Sequence, residues 1–385
     1  MISTERVMGS LVDRTAPSLD RILLRIMSQV TGSTGEDEDE RNDAAMFERA
    51  IAHYVDSGVG ADPHAYHRWP RRHEPRHRVR ASGGARIVET TFESRFVPMN
   101  PHYRDVYLSY AENRRIHLME YRHGGARPVL LFVHGWAGGY PAVEHRLLSL
   151  NSVFDMGVDV VHFSLPFHGL RTPSQAWFGG QLFPSEQIER TNEAFVHAIH
   201  DLRVVMDYLR TGGQPIGLMG VSLGAYVSTL LTALGPEPDF LLLLIPLADL
   251  GVLLWNQPQF SANRARVEAL GVDEATLKAI FAVHSPLTVP VSLDPGKVLI
   301  IASEQDGVCT RHQTDLLWRH LGGPRIAWVP GGHTTCFARS PLATCMTDFI
   351  AQNLQYKAWS VFPPPVSRPR MRPIMSLNAA WAGLR

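Results

Sequence analysis

Gly220-Val221-Ser222-Leu223-Gly224 places a serine where the apolar run QPIGLMGVS meets the helix-forming segment AYVSTLLTAL. A sharp strand-to-helix turn exposes such a hydroxyl, and its glycines leave room where a Cβ would strike neighbouring backbone. The free N–H groups and the positive end of the following helix also face any negative charge that develops during attack. These residue types in this order suit nucleophilic attack on a carbonyl. A turn built only for close strand–helix packing would use the same glycines, and GxSxG by itself does not separate the two. A dinucleotide loop of the GxGxxG type would need glycine where Ser222 stands.

A second group, His134-Gly135-Trp136-Ala137-Gly138-Gly139, follows the run RPVLLFV. If that run lies beside the one bearing Ser222, the backbone N–H groups of Trp136 and Leu223 can converge on one oxyanion. His134 itself reads as a structural histidine that holds the loop. A base for Ser222 must come from 18 histidines. His333, in WVPGGHTTC, directly follows the last β-like run and two glycines, which sets an imidazole on a turn at the sheet edge. Asp306 stands three residues beyond KVLIIAS and 27 residues ahead of His333, room for one helix and one strand, and would orient the imidazole. Asp249, after DFLLLLIPL, is the competing acid, and Glu304 is less favourably placed.

Positioning these groups requires a sheet with its strand ends on one edge. From Arg86 to about Gln355 short apolar runs alternate with helical segments, the pattern of an α/β protein whose mostly parallel sheet is covered by helices. The runs are 127–135, 158–166, 214–222, 239–247, 297–303 and 325–330, and RIVETTFESRFVP and RRIHLMEYR alternate as antiparallel leading strands. Ser185 to Arg210 reads as a long helix with Phe195, Ile199, Leu202, Val205, Met206 and Leu209 on one face. Residues 250–295 exceed a simple crossover and read as a lid, with a helix capped by Asp273. Trp255 and Phe260 of that lid are candidate substrate-binding residues, and lid core is the equal alternative.

Residues 1–85 read as a helical extension with two amphipathic helices, Ser18–Val30 and Ala44–Val55, joined by the charged run EDEDERND as a solvated linker. Their apolar faces would suit dimerisation, a cover over the site entrance or packing on the core. Residues 86–355 form the main domain. The Pro-rich stretch 356–385 cannot continue a helix and reads as a tail that wraps the surface or is disordered.

The order HGW, GVSLG, QDG, GGH resembles the α/β-hydrolase superfamily over about residues 86–355. The resemblance implies an eight-stranded sheet, a Ser222–His333–Asp306 triad, Trp136 and Leu223 as oxyanion donors, and a lid before the seventh strand. Leu165-Pro166-Phe167-His168-Gly169 is similar to a PxHG loop that shapes the site edge in many members, making Phe167 and His168 further substrate-binding candidates. The expected reaction is hydrolysis of a small carboxylic ester through an acyl-enzyme. A serine peptidase or an acyltransferase would use the same triad, and a non-catalytic scaffold would keep only the fold.

Composition narrows the remaining classes. Thirty-seven basic and thirty-seven acidic residues give zero formal charge, so there is no general attraction to nucleic acid or anionic membrane. The basic stretch 67–80 is broken by Pro70 and Pro75 and reads as a linker. His73 and His77 have a metal-like spacing spoiled by Pro75, so no metal or other cofactor is expected. Three cysteines, Cys309, Cys336 and Cys345, do not make a disulfide scaffold. Without a signal-like N-terminus or a long apolar run, the expected location is the cytoplasm, without stable membrane insertion.

Overall fold

The computed structural model describes residues 17–29, 37–70, 74–82, 85–338 and 340–355. Nine strands form one sheet in the order β1-β2-β3-β5-β4-β6-β7-β8-β9. They are β1 Arg76–Ser82, β2 Ala85–Glu93, β3 Arg115–Arg122, β4 Val129–Val133, β5 Asp159–Phe163, β6 Ile216–Val221, β7 Phe240–Leu244, β8 Val298–Ser303 and β9 Arg325–Val329. The first three pair antiparallel, β3 pairs antiparallel with β5, and the rest are parallel.

Both faces of the parallel strands are covered, which explains why these runs are apolar throughout. Successive residues point to opposite faces. On β7, Leu241 and Leu243 enter one core with the long helix, while Phe240, Leu242 and Leu244 enter the other. β8 divides in the same way, Val298 and Ile300 against Leu299 and Ile301. The long helix runs Ile188–Arg210, and all six residues of its expected apolar face are buried. Each such side chain contributes about 1.5–3 kcal/mol of burial free energy.

Three expectations change. The sheet has nine strands rather than eight, because part of the basic stretch read as a linker, Arg76–Ser82, pairs with β2 as an edge strand. An edge strand with charged residues is solvated on one side, so its sequence does not differ from a linker's. The acidic run read as a linker is helical from Asp37, in a helix Asp37–Ala50 that continues as a π-helical turn, Ile51–Asp56. In the helix 17–29, Leu24 is buried while Leu19, Ile22 and Ile26 face solvent, so only part of the apolar stripe meets the core. The tail 356–385 lies outside the described residues.

Met46, Phe47, Ala50 and Tyr54 enter the same core as the long helix. Between β7 and β8 the chain forms helices Leu250–Asn256, Ser261–Ala269 and Glu274–Phe281, the last capped by the Asp273 carboxylate, which accepts the Thr276 N–H at 2.8 Å. No helix among the described residues is long and apolar enough to cross a membrane.

One buried charge cluster locks the long helix to the leading strands. Arg171, fully buried, donates to Asp201 at 2.7 Å and to the carbonyls of Ser164 and Asn113. Asp201 also accepts from Ser94 at 2.6 Å. Burial drives His197 beside them down to about 4, although Asp201 works the other way, so its ring is neutral at pH 7. Removing one partner would strand a charge in the interior. Asp201→Ala is therefore expected to lower stability by about 3–5 kcal/mol in urea unfolding.

Candidate active site

The register of β4 and β6 places the two glycine-rich turns side by side. Val133 is opposite Gly220, so the His134–Gly139 loop leaves the sheet next to Ser222. Ser222 has φ 52° and ψ −112°, a conformation L-residues rarely adopt, and it opens the helix Leu223–Leu234. Its N–H donates to the Leu244 carbonyl at 2.9 Å, and its own carbonyl accepts from Ala225 and Tyr226. The surrounding structure thus holds the strained serine in place. A Cβ on Gly224 would fall against the carbonyl oxygens of Val133 and His134, and one on Gly220 against Gly224 and Ala225.

At the end of β8, Asp306 Oδ1 accepts the N–H groups of Val308 at 2.9 Å and Cys309 at 2.8 Å, which fixes the carboxylate over its own turn. Beyond β9, His333 Nδ1 donates to Asp306, 2.8 Å from Oδ2 and 3.0 Å from Oδ1. That leaves Nε2 to accept the Ser222 hydroxyl at 3.0 Å. Burial pushes the His333 pKa down, but the charge and hydrogen bond of Asp306, with Asp20 adding to them, carry it above the ordinary imidazole value. Asp249 is not at this site: its carboxylate caps the helix Leu250–Asn256 through the Val252 N–H at 2.9 Å.

His134 anchors its own loop. Nδ1 donates to the Gly135 carbonyl at 2.7 Å and Nε2 accepts the Leu165 N–H at 3.1 Å, while burial holds its pKa below the ordinary value. Glu144 Oε1 braces the same loop by accepting the Gly139 N–H at 2.6 Å. The Cys309 thiol lies 3.9 Å from Ser222 Oγ, with its pKa pushed well up by burial and then by Asp306; burial likewise raises Cys336, to about 12. Both are therefore neutral thiols rather than thiolate nucleophiles.

Ser222, His333, Trp136 and Leu223 open onto a cavity of about 310 Å³ with mostly apolar walls. Asp306 stands behind His333. Trp255 and Phe260 line the cavity with Leu253, Leu254 and Phe281 of the lid. Phe167 and His168 are not in the cavity wall. Phe167 is buried against Tyr107 and Tyr110, and His168, driven down to about 3 by burial, has Nδ1 2.9 Å from the Pro166 carbonyl. The PxHG turn therefore packs inward, behind the site edge it was expected to shape.

The opposite wall comes from the N-terminal helices, whose apolar faces both cover the site and pack on the core. Leu23 and Met27 of the helix 17–29, with Met46 and Phe47 of the next, complete the cavity. One signal could have found part of it: Asp20, Leu23, Leu24 and Met27 share a helical face, a polar residue inside an apolar stripe. Among the described residues, no group of three or more His, Cys, Asp or Glu could hold a metal ion.

No family model matches the chain. Two curated sequences from strains of Mycobacterium tuberculosis, both described as uncharacterised proteins, are 31% identical over 251 residues. The match covers 64% of this chain and 59% of theirs, so the chain spans less than two thirds of those relatives. Among solved structures, an acetyl xylan esterase from Paenibacillus sp. R4 is similar at TM-score 0.51 and 15% identity, covering 85% of this chain and 98% of that one. Acetyl xylan esterase 1 from Thermoanaerobacterium sp. JW/SL YS485 is similar at TM-score 0.52 and 14% identity, covering 86% and 97%.

Close approach at the elbow gives a direct structural check. Gly224→Ala should cost about 1–3 kcal/mol or more in urea unfolding, the range for an overpacked interior. Gly124→Ala, whose added methyl meets nothing within 4 Å, should be nearly neutral.

Proposed function

For this chain, which has the α/β-hydrolase fold, we propose a serine hydrolase that cleaves carboxylic esters bearing an apolar group. The observation that carries the reading is the 3.0 Å contact between His333 Nε2 and Ser222 Oγ at the floor of an apolar cavity. As Oγ attacks the carbonyl carbon, His333 takes its proton, and Asp306 holds the imidazole in the tautomer that leaves Nε2 free. Asp306 also stabilises the imidazolium. The main-chain N–H groups of Trp136 and Leu223 serve the oxyanion, each worth about 10²–10³ in rate. His333 then returns the proton to the leaving alkoxide, and a water, deprotonated by the same nitrogen, releases the acyl group. An amide or a transfer acceptor would use the same groups. The apolar walls from the lid and the N-terminal helices favour an ester with an apolar flank.

Four outcomes test this reading. A fluorophosphonate should label Ser222 in the folded protein, and His333→Ala or Asp306→Asn should reduce kcat for an active ester by about 10³–10⁴-fold. An unlabelled Ser222 in folded protein would favour the scaffold. Because the base must be neutral and its pKa is raised, kcat/KM should fall on the acid side at a higher pH than ordinary imidazole titration would give. Along a series of p-nitrophenyl esters, each buried CH₂ should raise kcat/KM by roughly fourfold until the cavity is filled. A flat series, or a preference for aminoacyl anilides, would overturn the ester assignment.

A further inference from the structure

We propose that Asp20, on the N-terminal helix 17–29, is a positioning residue whose carboxylate ties the loop carrying Asp306 to the turn carrying His333. The proposal rests on the serine-hydrolase reading and adds to it a part that belongs to neither sheet nor lid. Asp20 is 1% exposed. Its Oδ2 accepts two main-chain N–H groups, that of Gly307 at 2.9 Å and that of His333 itself at 2.8 Å. One of these residues adjoins the acid, and the other is the base. They follow different strands, β8 and β9, whose ends are also linked by the Ser303 hydroxyl on the Gly331 carbonyl and by the Glu304 and Gln305 N–H groups on the Val329 and Gly331 carbonyls, each at 2.9 Å.

The acid loop is gripped from the far side as well. Gln257 of the lid donates from Nε2 to the carbonyls of Gly307 at 2.8 Å and Val308 at 3.2 Å. The loop is thus held between lid and N-terminal helix, with its N–H turned to one and its carbonyls to the other. The helix is seated by the face that carries Asp20: Leu24 is buried one turn on, and Leu23 and Met27 line the cavity. A carboxylate is costly to bury, and two charge-assisted N–H bonds offset that cost only if both turns keep their relative position. Displacement of a catalytic group by about 1 Å can cost about 10²-fold in rate, so a tie at this point bears on kcat.

The groups facing the His333 ring and backbone are Asp306 from the β8 loop, Asp20 from the helix, Ser222 from the turn after β6, and the neutral thiol of Cys336; the neutral thiol of Cys309 lies beside Ser222. Only the two carboxylates carry charge, and both favour the protonated imidazole. Asp20 Oδ1 makes no hydrogen bond among the described residues.

The test compares the full-length protein with Asp20→Asn, and with Arg21→Ala on the exposed side of the same helix, by hydrolysis of a p-nitrophenyl ester. Asp20→Asn should lose at least tenfold in kcat with KM changed less than twofold, and its acid limb should move to lower pH because one charge favouring imidazolium is gone. Arg21→Ala should match wild type. Amide hydrogen exchange in the wild type should find the Gly307 and His333 N–H groups strongly protected. Unchanged kcat and acid limb in Asp20→Asn, or a kcat loss that only follows lost folded protein, would overturn the proposal. So would wild-type amides exchanging as freely as an exposed loop, a result that does not depend on whether the variant folds. A wild type that never reacts with fluorophosphonate would instead remove the hydrolase reading, while the exchange data would still report on the tie.

Discussion

Parallel alignment of β6, β8 and β9 is the constraint on which the site depends. Their C-terminal ends lie on one edge of the sheet, so residues 222, 306 and 333, far apart in the chain, leave it within reach of one another. Each side chain is then fixed by a local device: a strained turn for Ser222, two main-chain N–H groups for Asp306, and the Asp306 carboxylate for the His333 ring. The β4–β6 register adds the His134–Gly139 loop beside the serine.

Asp20, Asp306 and His333 are all buried where their charges meet. Low dielectric strengthens the bond between Asp306 and His333, and it also makes an unpaired carboxylate expensive. Asp306 accepts two main-chain N–H groups and the His333 ring N–H, and Asp20 Oδ2 accepts two main-chain N–H groups, which offsets part of that cost. The mostly apolar cavity lies beside the same region, and its walls include residues of the Ser222 turn, the His134–Gly138 loop, the lid and the N-terminal helices. The N-terminal helices therefore complete an enclosure that sheet and lid leave open.

Much of the site could be read from sequence because each of its parts is local. Ser222, Asp306 and His333 each sit just past a recognisable apolar run, and helix periodicity and capping at Asp273 obey nearest-neighbour rules. What could not be read involves distant partners or ambiguous composition. Asp20 meets a residue 313 positions away, and only its place among Leu23, Leu24 and Met27 hinted at burial. The edge strand Arg76–Ser82 and the acidic start of the helix at Asp37 look like linkers because charged secondary structure and coil share a composition. Phe167 and His168 sit in a glycine-bounded turn after a strand, as site residues do, but the turn packs inward on Tyr107 and Tyr110. Strand order told which edge carries chemistry; it did not tell which way that turn would fold.

The central claim is that the Ser222 oxygen becomes acylated during turnover. Rapid quenching with acid during hydrolysis of a p-nitrophenyl ester, followed by intact-mass and peptide mass measurement, tests it most directly. The wild type should gain the mass of one acyl group, carried by the peptide containing Ser222 and absent from Ser222→Ala. Turnover with no adduct in the wild type, or an adduct on any other residue, would contradict it.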